Sequence, residues 1–352
     1  MKTIKDIEFQ DGLKILVRID VNEPMDEIGV PKDTFRLTKM IPTIKYLRSR
    51  GAKVILISHL GDPKGKVVEN LKLDYIATEI DHLTEFKVEK IDYTVGNEVK
   101  DKIDKMKSGD VILLENLRFD PREELNDDDF SKELAQLADI YVNEAFSACH
   151  RSHASIVGIP KYLPSYGGFL LEKEISVLTQ TIYNPSKPAV AVIGGAKIET
   201  KLPVIHKLKE KFDKILVGGR IANEYIDLYG KSNSDQIILP IDFANSKRYD
   251  IGPRTIQIFS HHISSASTVM WNGPLGWFEQ NPYHLGTEYI ANTIAKYPKS
   301  FSVIGGGETV EFITKLGLRD KIDFISTGGG AMLDFISNNG KLVGIEALEN
   351  NN

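Results

Sequence analysis

The feature that most constrains this chain is a repeated pattern, in which a short aliphatic run ends at glycine or a polar residue and precedes a helical pattern. Nine runs share it: KILVRIDV (14–21), AKVILISHL (52–60), DVILLENL (110–117), ADIYVNEAF (138–146), PAVAVIGG (188–195), KILVGG (214–219), STVMWNG (267–273), FSVIGGG (301–307) and DFISTGGG (323–330). Such continuous runs indicate buried strands. Strands that alternate with helices predict parallel sheets, with ligands at the carboxyl ends of the strands.

The length of the chain predicts two domains of this kind. A chain of 352 residues exceeds the size at which a single hydrophobic core stops growing. Between the two sets of runs, the segment 167–188 reads as a helix that is entered through a glycine pair and closed by two prolines. We interpret this helix as the connector between two α/β domains, each with a doubly wound parallel sheet.

Charge and cysteine content exclude several classes of partner. The chain has 44 Lys+Arg against 49 Asp+Glu, a formal net charge of −5, so we expect no nucleic acid and no anionic membrane as partner. A single cysteine, Cys149, excludes an intramolecular disulfide and a thiolate metal cluster from this chain alone. Neither a membrane span nor a secretory signal is indicated, and we expect a cytoplasmic protein.

The second half places glycine clusters directly after four of its strands, at Gly194-Gly195, Gly218-Gly219, Gly305 to Gly307 and Gly328 to Gly330. Glycine lets backbone N–H groups approach a phosphate, and a helix that starts there adds its positive end. A tight strand-to-helix connection is the simpler explanation of any single cluster. The convergence of four clusters at one sheet edge favours a phosphate site.

Two lysines follow the first of these clusters, at positions 197 and 201. On a helix this spacing brings both ammonium groups to one face near the N-terminus, where a polyphosphate would bind. Pro203 predicts that the helix begins close to Thr200 or Lys201, because proline is tolerated in the first turn. The spacing is equally compatible with an alternative in which Lys197 and Lys201 are two surface lysines exposed to water.

The first half carries polar and basic residues close to its strand ends: Asp20, Asn22, Arg36, His59, Arg118 and Arg151. Arginine offers forked donors to carboxylate or phosphate oxygens, so this set suggests an anionic substrate. Taken singly, each arginine is also compatible with a surface charge or an ion pair. No GxGxxG fingerprint occurs, and GDPKGKV (61–67) is only a loose match to a P-loop.

Nine ordered segments, spread over nearly the whole chain, resemble the phosphoglycerate kinase family: VRIDVNEP, SHLGDPKG, LLENLRF, NEAFSACHRSHAS, GGFLLEKEI, IGGAKIETK, MWNGPLGWFE, IGGGET and STGGGAM. The resemblance implies a substrate domain at 1–167, a hinge helix at 168–184, a nucleotide domain at 185–335 and a tail, 336–352, that returns to the first domain. It implies reversible transfer of a phosphoryl group between ATP and the carboxylate of 3-phosphoglycerate, with Mg²⁺, in a monomer.

The resemblance also implies roles for individual residues. In the first domain, phosphoglycerate would bind to Asp20, Asn22, Arg36, His59, Arg118 and Arg151. In the second domain, ATP or ADP would bind to Gly195, Lys197, Lys201, Asn272, Glu279, Gly306, Gly307, Glu308 and Thr309, with Glu308 as the ligand of Mg²⁺. Arg36, Lys201 and the helix start at Gly329 and Gly330 would stabilise the charge of the transferring group.

Several residues depart from the family pattern. Asp62 stands where a substrate arginine is expected, which would weaken phosphate binding unless Lys64 substitutes. Glu144 and Ser147 replace an expected Asp and Gly, and Arg220 replaces a glycine. The segment 228–238 is shorter than usual, which predicts an open adenosine end of the pocket. These departures motivate a second hypothesis, a non-catalytic nucleotide- or phosphate-binding paralogue. A third hypothesis, a nicotinamide dehydrogenase, shares the α/β pattern, but this chain lacks the GxGxxG loop that such an enzyme needs.

Overall fold

The computed structural model describes residues 1–23, 25–26, 30–230, 234–297 and 299–350. By its internal contacts the chain divides into two compact units, Met1–Glu174 with Lys341–Asn352, and Ile175–Gly340. Each unit contains one six-stranded sheet, and all pairings between these strands are parallel. The expected α/β class, with one parallel sheet in each half, is confirmed.

The strands are β1 Lys14–Arg18, β2 Lys53–Ile57, β3 Val88–Lys90, β4 Val111–Leu113, β5 Ile140–Asn143, β6 Ser165–Gly167, β7 Ala189–Ile193, β8 Lys214–Val217, β9 Ile237–Ile238, β10 Thr268–Asn272, β11 Phe301–Gly305 and β12 Phe324–Ile325. The α-helices are α1 Phe35–Ser49, α2 Asp74–Leu83, α3 Asn97–Lys105, α4 Asp128–Ala135, α5 Phe169–Tyr183, α6 Ile198–Leu208, α7 Gly219–Tyr229, α8 Pro253–Ser264, α9 Leu285–Lys296, α10 Gly307–Lys315, α11 Gly329–Ser337 and α12 Val343–Glu349.

Strand order fixes where a ligand can enter each unit. The first sheet has the order β3-β4-β2-β1-β5-β6 and the second has the order β12-β11-β10-β7-β8-β9. In each sheet the chain builds outward on one side of its first strand and then crosses to the other side. The crossings lie between β1 and β5 and between β7 and β10, and ligands bind in the crevice at such a switch point.

Aliphatic side chains on the central strands form the cores. All five residues of β7 and of β10 are buried, as are four of the five residues of β1. A strand covered by helices on both faces buries every side chain, which explains why the sequence shows continuous aliphatic runs instead of alternation.

Helix α5 begins in the first unit and ends in the second. Its first turn is capped by Glu144, whose carboxylate accepts hydrogen bonds from the backbone N–H groups of Leu170 at 3.0 Å and Leu171 at 3.3 Å. The Thr43 hydroxyl donates to the same carboxylate. A carboxylate at a helix N-terminus satisfies donors that have no partner within the helix.

Helix α12 packs within the first unit. The Gly344 N–H donates to the Cys149 carbonyl at 2.8 Å, and a Cβ at Gly344 would lie 2.8 Å from Ile156 Cγ2. Residues 351–352, the end of the tail predicted over 336–352, lie outside the described residues.

Candidate active site

In the first unit, Asp20 and Arg36 form an ion pair at the switch point between β1 and β5. Arg36, the second residue of α1, donates from Nη1 to Asp20 Oδ2 at 2.9 Å and to the Asn22 carbonyl at 3.0 Å. The Ser147 hydroxyl, which follows β5, donates to the same Asp20 oxygen. Asp20 therefore orients the guanidinium, and three residues that are distant in sequence meet at this point.

The Asp20 carboxyl stays ionised although it is buried. Burial alone would raise its pKa, but the Arg36 guanidinium, the Ser147 hydroxyl and the Asn22 N–H together hold that pKa well below its usual range. A charged Asp20 compensates most of the charge of Arg36 when no ligand is bound. Arg36 remains partly exposed, so one edge of its fork can still reach an anion.

His59 lies deeper than the arginines and has a defined partner. It follows β2, its side chain is buried, and its Nδ1 lies 2.8 Å from Nη2 of Arg18, which is itself only 1% exposed. Sequence analysis did not select Arg18 as a site residue. The available signal was an arginine inside the aliphatic run KILVRIDV, where a buried cation requires specific partners.

Arg118 carries unused hydrogen-bonding capacity. Its Nη1 donates to the Gly61 carbonyl at 2.7 Å and its Nε lies 3.1 Å from a Glu124 oxygen. Its Nη2 is buried without a hydrogen-bond partner in the described part of the chain. Burial lowers the pKa of Arg118, and the nearby charge of the exposed Arg151 adds to this effect. Cations held this close together are stabilised by a bound anion.

Asp62 and Lys64 form an exposed ion pair, with 2.6 Å between Lys64 Nζ and Asp62 Oδ2. The pKa of Asp62 is lowered, first by the hydrogen bond from Lys64. Lys64 therefore neutralises the carboxylate that stands in place of the expected arginine. Asn22 accepts the Gly61 N–H at 2.9 Å, which links this loop to the Asp20 cluster.

In the second unit, Lys201 is buried beside Asn272 at the switch point between β7 and β10. The ammonium donates to Asn272 Oδ1, and no carboxylate of the described residues lies within ion-pair distance of it. Burial lowers the pKa of Lys201 to about 8, and the attraction of Glu308 opposes that shift only in part. An almost buried ammonium without an ion-pair partner is primed to receive an anion.

Helix α6 begins at Ile198, so the predicted start near Thr200 or Lys201 is wrong. Pro203 is the sixth residue of the helix, beyond the first turn. Its missing N–H leaves the carbonyl of Glu199 without its usual partner, but Glu199 is exposed and water can bind there. Lys197 precedes the helix and is exposed, whereas Lys201 points inward, so the two do not form a matched pair.

The glycines at this edge are required by close backbone packing. Gly219 has φ +65°, and a Cβ there would lie 2.7 Å from the Pro274 carbonyl oxygen and 2.8 Å from the Gly195 nitrogen. Gly273, with φ +95°, would place a Cβ 2.3 Å from the Gly194 oxygen. Three strand ends therefore approach one another backbone to backbone, at distances that leave no room for a Cβ at these glycines.

Two helices begin at the same edge. Helix α10 starts at Gly307 and helix α11 at Gly329, and a Cβ at Gly329 would lie 2.9 Å from the Gly306 Cα. The positive ends of both helices are thus adjacent, with Gly330 exposed in the first turn of α11. This arrangement binds anions by backbone N–H groups.

Glu308 and Thr309 follow in the first turn of α10 but have different environments. Glu308 is exposed and lines a cavity, so its carboxylate is free to take a ligand. Thr309 is buried, and its hydroxyl accepts the Gly273 N–H at 2.8 Å. Thr309 therefore orders the turn after β10.

A cavity of about 660 Å³ opens beside these turns, within the second unit. Gly195, Gly219, Glu279 and Glu308 lie in its wall, together with residues that sequence analysis did not select: Ala196, Asn223, Glu224, Asp227, Lys247, Arg248, Tyr249, Pro274, Gly276, Trp277 and Phe278. Arg220 also lines it and pairs with Glu224 at 2.8 Å. The volume is that of a typical small-molecule site.

The wall nearest the shortened segment is built from residues 247–249. Tyr249 packs edge-to-face on Trp277 with ring centroids 5.3 Å apart, and Arg248 pairs with Asp227 at 2.9 Å. Residues 231–233 of the segment 228–238 lie outside the described residues.

No helix in the described ranges is long and apolar enough to cross a membrane.

Comparison with known proteins decides the family. The family model described as "Phosphoglycerate kinase" matches residues 4–240 and 233–339. The chain is 40% identical to the phosphoglycerate kinase of Moorella thermoacetica, over 98% of both chains. It belongs to the phosphoglycerate kinase family.

Two further comparisons extend over the same length. The phosphoglycerate kinase of Dictyoglomus turgidum is 39% identical over 99% of both chains. The crystal structure of phosphoglycerate kinase from Pyrococcus horikoshii OT3 has a TM-score of 0.88 and 31% identity, over 100% of this chain and 99% of that one. As a phosphoglycerate kinase family member, the chain is a phosphotransferase with a carboxyl group as acceptor, and the alternative of a non-catalytic paralogue is not favoured.

Proposed function

We propose that this chain transfers a phosphoryl group reversibly between ATP and the carboxylate of 3-phosphoglycerate, using one set of residues in each unit. Asp20, Asn22, Arg36, His59, Arg118 and Arg151 bind phosphoglycerate. Gly195, Lys197, Lys201, Asn272, Glu279, Gly306, Gly307, Glu308 and Thr309 surround the nucleotide, Thr309 by ordering the turn. The observation that carries the proposal is the buried ammonium of Lys201, held beside two helix N-termini without an ion-pair partner among the described residues.

The chemistry of the acceptor supports this assignment. A carboxylate is already ionised and nucleophilic at neutral pH, so the reaction needs no general base and no covalent intermediate. The protein must position two anions and neutralise the charge that spreads over the transferring group. In the first unit, the Asp20 ion pair at 2.9 Å fixes the guanidinium of Arg36 before the substrate binds.

In the second unit, positive charge comes from Lys201 and from the starts of α10 and α11. Gly329 and Gly330 lie in the first turn of α11, where N–H groups without intrahelical partners can bind equatorial oxygens of the transferring group. No side chain projects from these two positions, so a phosphate can approach the backbone directly.

The residues at the cavity fit Mg²⁺. In the described part of the chain no group of three or more His, Cys, Asp or Glu side chains could hold a metal ion by itself. Mg²⁺ usually binds through one or two carboxylates together with substrate phosphates, and the exposed carboxylate of Glu308 in the cavity wall suits this mode. When bound, Mg²⁺ would neutralise part of the phosphate charge.

The test is a coupled assay of ATP formation from 1,3-bisphosphoglycerate and ADP, with Mg²⁺ present and absent. Substitution of Arg36 or Lys201 by Ala should lower turnover by about 10²-fold or more, because each removes a charge-assisted contact to the transferring group. Lys45→Ala, exposed on the same helix as Arg36, and Lys209→Ala, exposed at the end of α6, are the matched controls. Equal turnover in a test variant and its control would remove that residue from the mechanism.

A further inference from the structure

A buried hydrogen-bonded chain runs from His59 into the interior of the first unit. Arg18 uses each side of its guanidinium: Nη2 lies 2.8 Å from His59 Nδ1, Nε donates to the Ser155 hydroxyl at 3.0 Å, and Nη1 donates to the Ile19 carbonyl. Arg18 is 1% exposed and His59 is 5% exposed. The arrangement is therefore shielded from water, and its geometry is set by the fold.

The far end of the chain is anchored by Glu123. Its two carboxylate oxygens accept the Ser155 hydroxyl at 2.5 Å and the Ser155 N–H at 2.9 Å. Glu123 is fully buried, and the charge of Arg18 favours its ionised form against the effect of burial, which raises its pKa. The guanidinium is thus fixed in position by a serine that is itself held at two atoms.

This geometry determines the protonation of His59. A guanidinium donates hydrogen bonds, cannot accept them, and stays charged in proteins. His59 Nδ1 must therefore be the acceptor and carry no proton, so the proton of the neutral ring lies on Nε2. Nε2 makes no hydrogen bond to any residue that the structure describes, and it is left for a ligand.

The charges around His59 favour the neutral ring. Arg18 in β1, Arg118 after β4 and Arg151 after β5 oppose a positive imidazole, whereas the Asp20 carboxylate favours one. Burial is the largest effect, and with the three arginines it lowers the pKa of His59 well below its ordinary value.

We propose that Arg18 is a positioning residue, which holds His59 as the neutral Nε2–H tautomer, so that His59 offers phosphoglycerate a hydrogen-bond donor whose charge does not change with pH. The inference rests on the proposed function for the identity of the ligand. Positive charge at this site then comes from the arginines alone, and substrate affinity is insulated from the titration that an ordinary histidine undergoes near neutral pH.

The direct test is nuclear magnetic resonance of the wild-type chain labelled with ¹⁵N-histidine. His59→Gln identifies the His59 signals by their loss. We expect a protonated Nε2, an unprotonated Nδ1 and no change in either from about pH 5.5 to pH 8, the range in which a free histidine titrates. A proton on Nδ1, or a titration midpoint near the ordinary value of about 6.5, would overturn the inference.

The second test compares Arg18→Met with Ser155→Ala. Met removes the cation and its donors, so His59 Nδ1 no longer faces a donor, while burial, Arg118 and Arg151 still oppose a positive ring. The proton of the neutral ring can then occupy either nitrogen. In ¹⁵N-histidine spectra of folded Arg18→Met we expect a proton on Nδ1 in a fraction of the molecules, from about pH 5.5 to pH 8.

Ser155→Ala keeps the cation beside His59 while it weakens the anchor, so its His59 should carry the proton on Nε2 as in wild type. A folded Arg18→Met variant whose His59 still carries the proton on Nε2 alone would contradict the inference, and the wild-type resonance experiment decides it if that variant does not fold. The proposed function fails separately: a wild-type chain with the fixed tautomer but without 3-phosphoglycerate binding would overturn that function and support the control of His59 by Arg18. Phosphoryl transfer by a chain whose His59 titrates normally would do the reverse.

Discussion

Lys201→Met should lower phosphoryl transfer by about 10²-fold or more and at the same time make the second unit more stable. The ammonium is 8% exposed, and burial lowers its pKa from 10.5 to about 8. A shift of this size means that the folded chain pays about 3 kcal/mol at pH 7 to keep the lysine charged. Methionine fills a similar volume without a charge, at the cost of about 1 kcal/mol for the lost bond to Asn272.

The sign of the pH dependence follows from the direction of the shift. The folded state binds fewer protons at Lys201 than the unfolded state between pH 10.5 and pH 8, so wild-type stability falls as pH decreases through this window. Below pH 8 the penalty is fully present. We therefore expect Lys201→Met to raise the free energy of unfolding by about 2 kcal/mol at pH 7, and this gain to vanish by about pH 9.5.

The assay is urea denaturation without nucleotide or Mg²⁺, followed by tryptophan fluorescence. Both tryptophans of the chain, Trp271 and Trp277, lie in the second unit, so the signal reports the unit that contains the substitution. Lys209→Met, at an exposed position on the same segment, controls for the change of net charge. A Lys201→Met variant that is less stable than wild type at pH 7, or whose gain is the same at both pH values, would refute the reasoning.

Three further predictions concern ion pairs and helix caps. Asp62→Ala should tighten 3-phosphoglycerate binding by about twofold and Lys64→Ala should weaken it, as measured by calorimetry, because the exposed pair joins opposite charges at 2.6 Å. Asp242→Ala should lower the unfolding free energy in urea by about 1–2 kcal/mol, because Asp242 caps α8 through the Thr255 N–H at 2.8 Å; Asp242→Asn should lose less. Glu144→Ala should lower the free energy of unfolding by about 2 kcal/mol and speed the hydrogen exchange of the first amides of α5, because the Leu170 and Leu171 N–H groups lose their acceptor. Unchanged exchange of these amides would contradict the capping role of Glu144.

Nine strands could be predicted from the sequence because buried parallel strands require continuous aliphatic runs. The three strands that the sequence did not indicate, β3, β6 and β9, have two or three residues and lie at the edges of their sheets. An edge strand pairs on one side only and buries little, so it needs no long apolar run. The predicted start of α6 was wrong for a different reason: a proline beyond the first turn is tolerated where water can bind the carbonyl that loses its N–H partner.

The family assignment and the placement of Asp20 and His59 at one sheet edge also followed from the sequence, since each follows an aliphatic run and the carboxyl ends of neighbouring parallel strands lie at the same edge. The packing of distant segments decided what these residues do chemically. Arg18 and His59 are 41 positions apart, and Lys201 and Asn272 are 71 apart. The pKa of Lys201 and the tautomer of His59 depend on burial and on these contacts, because the free energy of a charge or a proton is set by the atoms around it. The sequence therefore identifies which residues can bind an anion, and only the folded interior determines their protonation.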